Sequence, residues 1–543
     1  MEMSGGEALA RQLTREGVTQ MFGVPGVQLD FAVDGLAQVQ DQIVFRNTRH
    51  EQAAAYMADG YARTTGDIGV FMVVPGPGML NAMAALSTAY ACSSPVLSIV
   101  GQIPSGTIGR ALGMLHEVPE QSATLRTVTK WSGIARTASE IPRLVHDAFH
   151  AVRTGRPRPV GIEIPPDVLE ARADISLLDP DLAMAPVEPD AAAIREAAAL
   201  LAAAERPAIY VGGGLLAAGA SDELRELAER IQAPVVMSLH GRGALDNRHP
   251  LAVTSLAGRE VLPRADVVLA VGSRFIDGLA KPVETAPDAK IILVNAEEHD
   301  LGGPRRTDVA VHGDARLTLA ALRDELDPIG RRDLASELDA VRERADKQIA
   351  EITPQLSWVR ALRDAIPEDG ILVNELTQVG YLCEVAYPVY GPRTYITPGY
   401  QGTLGYGFAT ALGAKAGNPD RVVVSINGDG GFGWNLQELS TAKKYGIGLI
   451  TVVFNDGAFG NVRRIQRNRF EGRLHGTDLT NPDFLKLAEA YGIAGARVTS
   501  PGALAATITA AAEGAEPMLI EVPVGEMPSA WHLLHDFIPK PTA

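Results

Sequence analysis

Arg421 to Gly460 reads RVVVSINGDGGFGWNLQELSTAKKYGIGLITVVFNDGAFG. Val422–Ile426 is a short Val/Ile run of the kind buried on both faces of a parallel sheet. Gly428-Asp429-Gly430 reads as a tight turn at its C-terminal end, Leu436–Lys444 as a helix, and Leu449–Phe454 as the next strand, ending at Asn455-Asp456. A βαβ unit with a right-handed crossover puts both strand ends on one edge of the sheet. Asp429 and Asp456 are therefore expected to project from neighbouring strand termini, where open α/β sheets bind ligands. Two hard oxygen ligands with few other charges suit Mg²⁺ or Ca²⁺ bridging to a phosphate, and the glycines let backbone approach phosphate oxygens closely. A lone Gly-Asp-Gly is also a common βα turn; the Asn455-Asp456 pair one strand later favours the ligand reading.

The same alternation extends outward along the chain. Gly69–Val74, Val96–Val100, Val160–Ile164, Ala208–Val211, Val235–Ser238, Val267–Val271, Ile291–Val294, Ile371–Val373 and Met518–Val522 read as further buried strands. Amphipathic segments such as Glu51–Thr64, Ala192–Ala204 and Ser221–Ile231 lie between them. This pattern predicts an α/β protein of doubly wound parallel sheets. The proline-rich run Ser176–Pro189 reads as a linker, and a charged helical segment within Leu326–Leu356 separates a middle unit from the last. The expected division is residues 1–175, 190–330 and 355–530, with a tail at 531–543. The first and third units share a layout, each a sheet with a chemical motif near a strand end.

Composition sets outer bounds. A 543-residue chain with 46% hydrophobic residues is long and apolar enough for several cores, which excludes a disordered chain. Lys plus Arg number 49 against 65 Asp plus Glu, and a net charge of −16 argues against a nucleic-acid or anionic-membrane surface. Ala82–Gly101 is apolar but broken by Ser93, Ser94 and Pro95, so it reads as a buried helix and strand and not as a membrane span. The start, MEMSGGEALARQL, lacks the apolar core of a secretory signal. Two cysteines, Cys92 and Cys383, make no disulfide framework, and a cytoplasmic location is expected.

Gly428-Asp429-Gly430, then 24 residues, then Asn455-Asp456 resembles the cofactor and metal motif of thiamine diphosphate-dependent enzymes. Most members end the motif with two asparagines; Asp456 stands at the second position here. The resemblance implies thiamine diphosphate, with Mg²⁺ held by Asp429, Asp456 and the carbonyl of Ala458. It also implies a glutamate in an N-terminal unit, and Arg49-His50-Glu51-Gln52-Ala53, between a strand at Ile43–Arg46 and a helix, fits that place. In the family this glutamate hydrogen-bonds or protonates N1′ of the aminopyrimidine, so that the 4′-imino group can deprotonate thiazolium C2, which is general acid–base work. Read by itself, Glu51 is an acid favoured by a helix N-terminus. Gly26, in Phe22–Gly26, resembles the family's early phosphate-side turn. Pro77, in Gly76-Pro77-Gly78, and Asn81 resemble the loop after a later strand. Gly402 stands where members offer a carbonyl to the 4′-amino group, and Leu404 where they place an apolar wedge that bends the cofactor, a positioning effect.

Within that family the chain resembles the acetolactate synthase large-subunit type, through HEQAAAYMADGYARTTG, GQIP (Gly101–Pro104), RPVGIEIPPDV (Arg158–Val168), YVGGG (Tyr210–Gly214) and VGSRFIDG (Val271–Gly278). The resemblance implies decarboxylation of a 2-oxo acid and transfer of the product to a proton, an aldehyde, a second oxo acid or an oxidant. It implies a homodimer or homotetramer, room for a small regulatory subunit, and FAD on Gly212–Gly214, Arg274 and Asn295–Gly302. Three departures leave a non-oxidative decarboxylase releasing an aldehyde as the alternative. Leu115-His116-Glu117 replaces Phe-Gln-Glu, Gly278 replaces an arginine, and Asn461–Phe470 lacks a tryptophan. His116 and Glu117 are nonetheless candidate polar groups of the site, and Arg463, Arg464, Arg467 and Arg469 a candidate lid or a solvated helix face. The WHLLH segment at Trp531–His535 is a candidate cover. A cofactor-binding paralogue without activity is the reading of another class, opposed by intact Glu51 and Asp429. A nicotinamide-linked dehydrogenase is disfavoured because no proper G-x-G-x-x-G follows a strand.

Overall fold

Val423–Gly428 and Ile450–Asn455 pair as parallel strands, with Gly428 opposite Phe454. The computed structural model describes residues 1–180, 186–276, 281–302, 306–330 and 334–535. Part of the expected linker, Gly278 and the tail beyond His535 lie outside the described residues. Three six-stranded parallel sheets account for almost every strand, and their central strands are short and rich in fully buried Val, Ile and Leu. The α/β, doubly wound reading holds. The edge strands Val309–His312 and Ala494–Arg497 and the short inner strand Gln20–Gly23 carry too few consecutive apolar residues to stand out in the sequence.

Strand order separates the units. Numbered in chain order within each unit, the first sheet (Gln20–Gly23 to Val160–Ile164) and the third (Ile371–Asn374 to Met518–Pro523) both run 2-1-3-4-6-5. The middle sheet, Pro207–Val211 to Val309–His312, runs 3-2-1-4-5-6, the order of dinucleotide-binding folds. In the first and third sheets the order reverses between strands 1 and 3, which opens a crevice at their C-terminal ends. Gly23–Gly26 and Gly76–Gly78 leave that point in the first sheet; Glu375–Gln378 and Gly428–Gly430 leave it in the third.

The first and third units pack through helices Glu51–Thr65 and Tyr406–Gly417. A Cβ on Gly60 would fall 1.9 Å from the Thr410 carbonyl oxygen, and one on Gly413 1.9 Å from that of Met57. The helices therefore meet backbone to backbone, which only glycine permits at those two positions. Buried alanines make up much of both helices, with Tyr56, Met57, Phe408 and Leu412 among them.

Local differences from expectation have simple causes. Gly428-Asp429-Gly430 is no tight turn: the strand runs on to Gly428, and Asp429–Phe432 is one helical turn. Neither flanking glycine has positive φ, and only Gly430 is held by close packing, Gly428 having room for a Cβ. A Cβ on Gly430 would meet the Phe459 ring at 2.8 Å. Leu436–Lys444 opens as a 3₁₀ turn, Leu436–Glu438, before the α-helix Leu439–Lys444. Within Leu326–Leu356 the charged helix is confined to Ala335–Ala350. Ala82–Gly101 divides into the end of helix Pro77–Cys92 and strand Val96–Gly101. Among the described residues no helix is long and apolar enough to cross a membrane.

Candidate active site

Asp429 and Asp456 leave adjacent strands side by side. Asp429 Oδ2 accepts from the Gly457 N–H at 3.1 Å and from Asn481 Nδ2 at 2.6 Å, and the same amide reaches Asn455 Oδ1 at 3.0 Å. Asp456 Oδ2 accepts from Gln378 Nε2 at 2.8 Å, and Oδ1 from the Ala458 N–H at 3.2 Å. Burial and then the charge of Asp429 push the Asp456 carboxyl up to about 6. Among the described residues no three His, Cys, Asp or Glu side chains cluster as metal ligands. This donor set is therefore unlike a zinc or iron cage. Paired carboxylates suit a hard divalent cation that keeps other oxygens, such as those of a phosphate, in its shell. A cation between them would also relieve their mutual repulsion.

Glu51 opens helix Glu51–Thr65, whose first turn is capped by His50 Nδ1 accepting the Gln52 N–H at 3.1 Å. Glu438, from the third unit, accepts the N–H groups of both Arg49 and His50 at 3.0 Å, pinning this corner in place. Glu51 Oε2 accepts from Asn81 Nδ2 at 2.9 Å, Asn81 lying one turn into the helix that Pro77 begins. Glu51 Oε1 faces Gly78, where an added Cβ would sit 3.6 Å away. His116 joins this region from outside: its Nδ1 lies 3.1 Å from Gln28 Oε1, and its carbonyl lies against Gly76. Glu117 instead turns back on its own loop and accepts the Met114 N–H at 2.8 Å. Gly26 packs on Val74, 2.4 Å from where its Cβ would stand.

Within one chain these residues form two groups. Glu51, Pro77 and Asn81 stand together on the first unit, with His116 behind them; Asp429, Asp456 and Ala458 stand on the third. No hydrogen bond or ion pair joins Glu51 to either aspartate among the described residues. Between the units runs Gly402–Gly405. Thr403 Oγ1 bonds to Tyr56 OH at 2.7 Å and to Thr88 Oγ1 at 2.8 Å, and Asn435 Nδ2 donates to the Gly405 carbonyl at 2.7 Å. Gly402 has φ +56°, a left-handed residue that turns the segment outward. Leu404 is 40% exposed, so it is not the core residue its apolar character alone would make it.

Three residues of the site escaped sequence reading. Asn481 lies far along the chain from Asp429 in an irregular segment, with no pattern to mark it. Gln378 follows the first strand of the third sheet, so its place at the crevice was readable once strand order was known. Glu375 is the third. It is 2% exposed, Oε1 accepts the Gly405 N–H at 2.9 Å, and a Cβ on Gly431 would fall 2.3 Å from that oxygen. Burial pushes its carboxyl up to about 8, against the N–H groups of Gly405, Gly407 and Tyr406, which pull it back. The folded protein thus holds a proton here that the unfolded chain releases near 4.5. Glu375 favours the fold below that value, and its contribution is lost as pH rises through about 8. Glu375→Gln should flatten the fall in urea midpoint between pH 5 and 8; parallel profiles for the two proteins would show the carboxyl is ionised throughout.

A cavity of about 1340 Å³ joins the middle unit to the third. Gly212–Gly214, Arg274 and Asn295 line it on the middle-sheet edge, and Tyr381, Glu384 and Trp531 line it on the other side. Of the expected lid, Arg463 pairs with Asp478 at 3.2 Å, Arg467 with Glu526, and Arg464 bonds to Asn461 at 2.6 Å. Trp531–Leu534 is a short helix whose tryptophan lies edge-on to Tyr381 at 5.7 Å.

Two sheet crevices, one carrying a glutamate and the other an aspartate pair, and a dinucleotide-type sheet between them define an α/β cofactor enzyme of three units. Residues 3–124, 194–322 and 377–522 match, in turn, the N-terminal TPP binding domain, the central domain and the C-terminal TPP binding domain of thiamine pyrophosphate enzymes. The chain belongs to the thiamine pyrophosphate enzyme family and is a thiamine diphosphate-dependent enzyme of the acetolactate synthase-like type. It is 33% identical to a probable acetolactate synthase large subunit of Methanocaldococcus jannaschii, over 96% of this chain and 92% of that protein. It is 32% identical to the acetolactate synthase isozyme 3 large subunit of Escherichia coli, over 94% and 93%. It is also 36% identical to a probable 2-ketoarginine decarboxylase of Pseudomonas aeruginosa, over 91% and 89%.

Proposed function

We propose that the enzyme decarboxylates a 2-oxo acid and joins the product to a second carbonyl compound, in the manner of acetolactate synthase. The observation that carries this reading is the aspartate pair: two repelling carboxylates at a sheet crevice, braced by Gln378 and Asn481, call for a cation and its phosphate. Asp429, Asp456 and the Ala458 carbonyl would hold Mg²⁺ against the cofactor diphosphate. Bound thiamine diphosphate would supply the electron sink that lets CO₂ leave. Glu51 would hold and move a proton at Oε1, the oxygen left accessible while Asn81 fixes Oε2. Gly402 would offer its carbonyl to the aminopyrimidine, and Leu404 its side chain as a wedge. Gly26, Pro77, Gly428 and Gly430 would shape the two crevices, with His116 and Glu117 on the loop beside Gly76.

The functional units on this reading are residues 1–175, 190–330 and 355–530, with a C-terminal tail. The separation of Glu51 from the aspartates in one chain, together with exposed Leu404 and Trp434, supports a homodimer or homotetramer that completes each site. The word "large subunit" in the names of the relatives supports a small regulatory partner. The middle-unit cavity supports FAD, and the two free cysteines support a cytoplasmic location.

The second reading is a decarboxylase that releases an aldehyde. It is favoured by the Leu115-His116-Glu117 departure and by the relative named for 2-ketoarginine. Product analysis with pyruvate, Mg²⁺ and thiamine diphosphate separates the two: acetolactate is expected, and acetaldehyde alone would replace the first reading with the second.

A further inference from the structure

Helix Gln378–Ala386 begins at the aspartate pair, where Gln378 donates to Asp456, and runs away from it along the cavity. Tyr381, Glu384 and Val385 are spaced to share one face of this helix and all line the cavity. Six residues separate Gln378 from Glu384, about 9 Å along the axis. The same cavity reaches Gly402, set above against the aminopyrimidine, so a long substrate side chain that enters it can reach this helix.

The groups at this end of the cavity have an unusual state of pairing. Glu384 makes no hydrogen bond or ion pair among the described residues. Arg242, the cation whose charge bears on it, is committed elsewhere: it donates to the Cys383 carbonyl at 2.7 Å and to the Tyr387 carbonyl, and lies 4.2 Å over the Tyr395 ring. Burial pushes the Glu384 carboxyl up to about 7, against the charge of Arg242. Trp531 stands across from Tyr381, ring centroids 5.7 Å apart at 67°, and His535 lies edge-on to it at 5.7 Å. The Trp531 indole N–H is buried without a partner. A carboxyl without a cation, beside two angled aromatic rings, is the chemistry that receives a guanidinium or an ammonium group.

We infer that Glu384, Tyr381 and Trp531 form a recognition site for a cationic group at the far end of the substrate, so that the preferred 2-oxo acid carries a basic side chain and pyruvate is a poorer substrate. The inference rests on the 2-oxo acid reading above and adds the substrate class. In this arrangement Glu384 touches only the side chain and takes no part in bond breaking.

The test uses the full-length enzyme with Mg²⁺ and thiamine diphosphate, and two 2-oxo acids of equal length. One ends in a guanidinium group and the other in an alkyl group. CO₂ release should be at least tenfold more efficient in kcat/KM for the guanidinium acid. Glu384→Gln should erase that preference through KM, leaving kcat and the alkyl acid unchanged. Binding to the Glu51→Gln enzyme, followed by tryptophan fluorescence, gives a readout independent of turnover and should show the same preference. Equal use of the two acids, or an equal effect of Glu384→Gln on both, would overturn the inference alone. So would loss of a bound flavin band in Glu384→Gln, which would assign this end of the cavity to a nucleotide. Absence of CO₂ from every 2-oxo acid tried, alkyl acids and pyruvate included, would overturn the parent reading and this inference with it.

Discussion

Glu51→Gln should lower turnover by about 10²–10⁴-fold, the usual range for a positioned acid–base group, while leaving cofactor affinity close to that of the wild type. The expectation follows from geometry. Asn81 donates to Oε2 at 2.9 Å, and a glutamine can present an oxygen to that same amide. The helix start is fixed by Glu438 through backbone N–H groups, which the substitution does not touch. What disappears is the carboxyl itself, the one acid–base group that stands at this place. Stopped assays of CO₂ release report the loss, and thermal shift with thiamine diphosphate and Mg²⁺ reports retained binding. Turnover at the wild-type rate would remove Glu51 from the chemistry.

The second large effect belongs to Asp429. Asp429→Asn keeps the shape, and an oxygen that can accept the Gly457 N–H, but removes one of two adjacent charges. A residue that only supports a metal ligand typically costs about 10–100-fold in affinity when changed, so a ligand itself should cost more. Cofactor binding in the presence of Mg²⁺ should weaken by at least that range. Without metal the sign reverses. Asp456 is held up to about 6 partly by the charge of Asp429, so its ionisation works against the fold as pH rises through that value. The metal-free Asp429→Asn protein should therefore melt above the wild type at pH 8 and alongside it at pH 4. Unchanged cofactor affinity would remove Asp429 from the metal site, whatever the melting curves do.

The sequence was most readable where continuous apolar runs met glycine. Buried parallel strands are such runs, so their positions and the doubly wound class could be read to within a residue or two. Asp429, Asp456 and Glu51 were legible because each follows directly on a strand or opens a helix. The sheet orders were not legible, because edge strands such as Tyr395–Ile396 are too short to declare themselves. Without those orders nothing distinguished Gln378 and Glu375 from other residues at a strand end. Asn481 could not be found at all, since a hydrogen bond to Asp429 across a loop leaves no periodic trace. Glu384 has the opposite problem: a glutamate on a helix reads as surface, and only the cavity beside it reveals otherwise. The Gly-Asp-Gly segment stands where the sequence places it but in another shape, because Gly430 serves there by its absence of bulk and not by freedom to turn.

Gly60 and Gly413 act at a distance. The rod that begins with Glu51 is clamped about 13 Å further along, at Gly60, by backbone touching backbone. A stiff lever fixed at one point passes any movement of that point to its tip. A methyl group at Gly60 would have to push the two rods apart, and the displaced tip is the carboxyl that must meet a ring nitrogen. Errors of about 1 Å in such placement can cost 10²-fold in rate. The tolerance of the reaction is thus set, in part, by a hydrogen atom standing where every other residue has carbon, in a helix crossing that no substrate reaches.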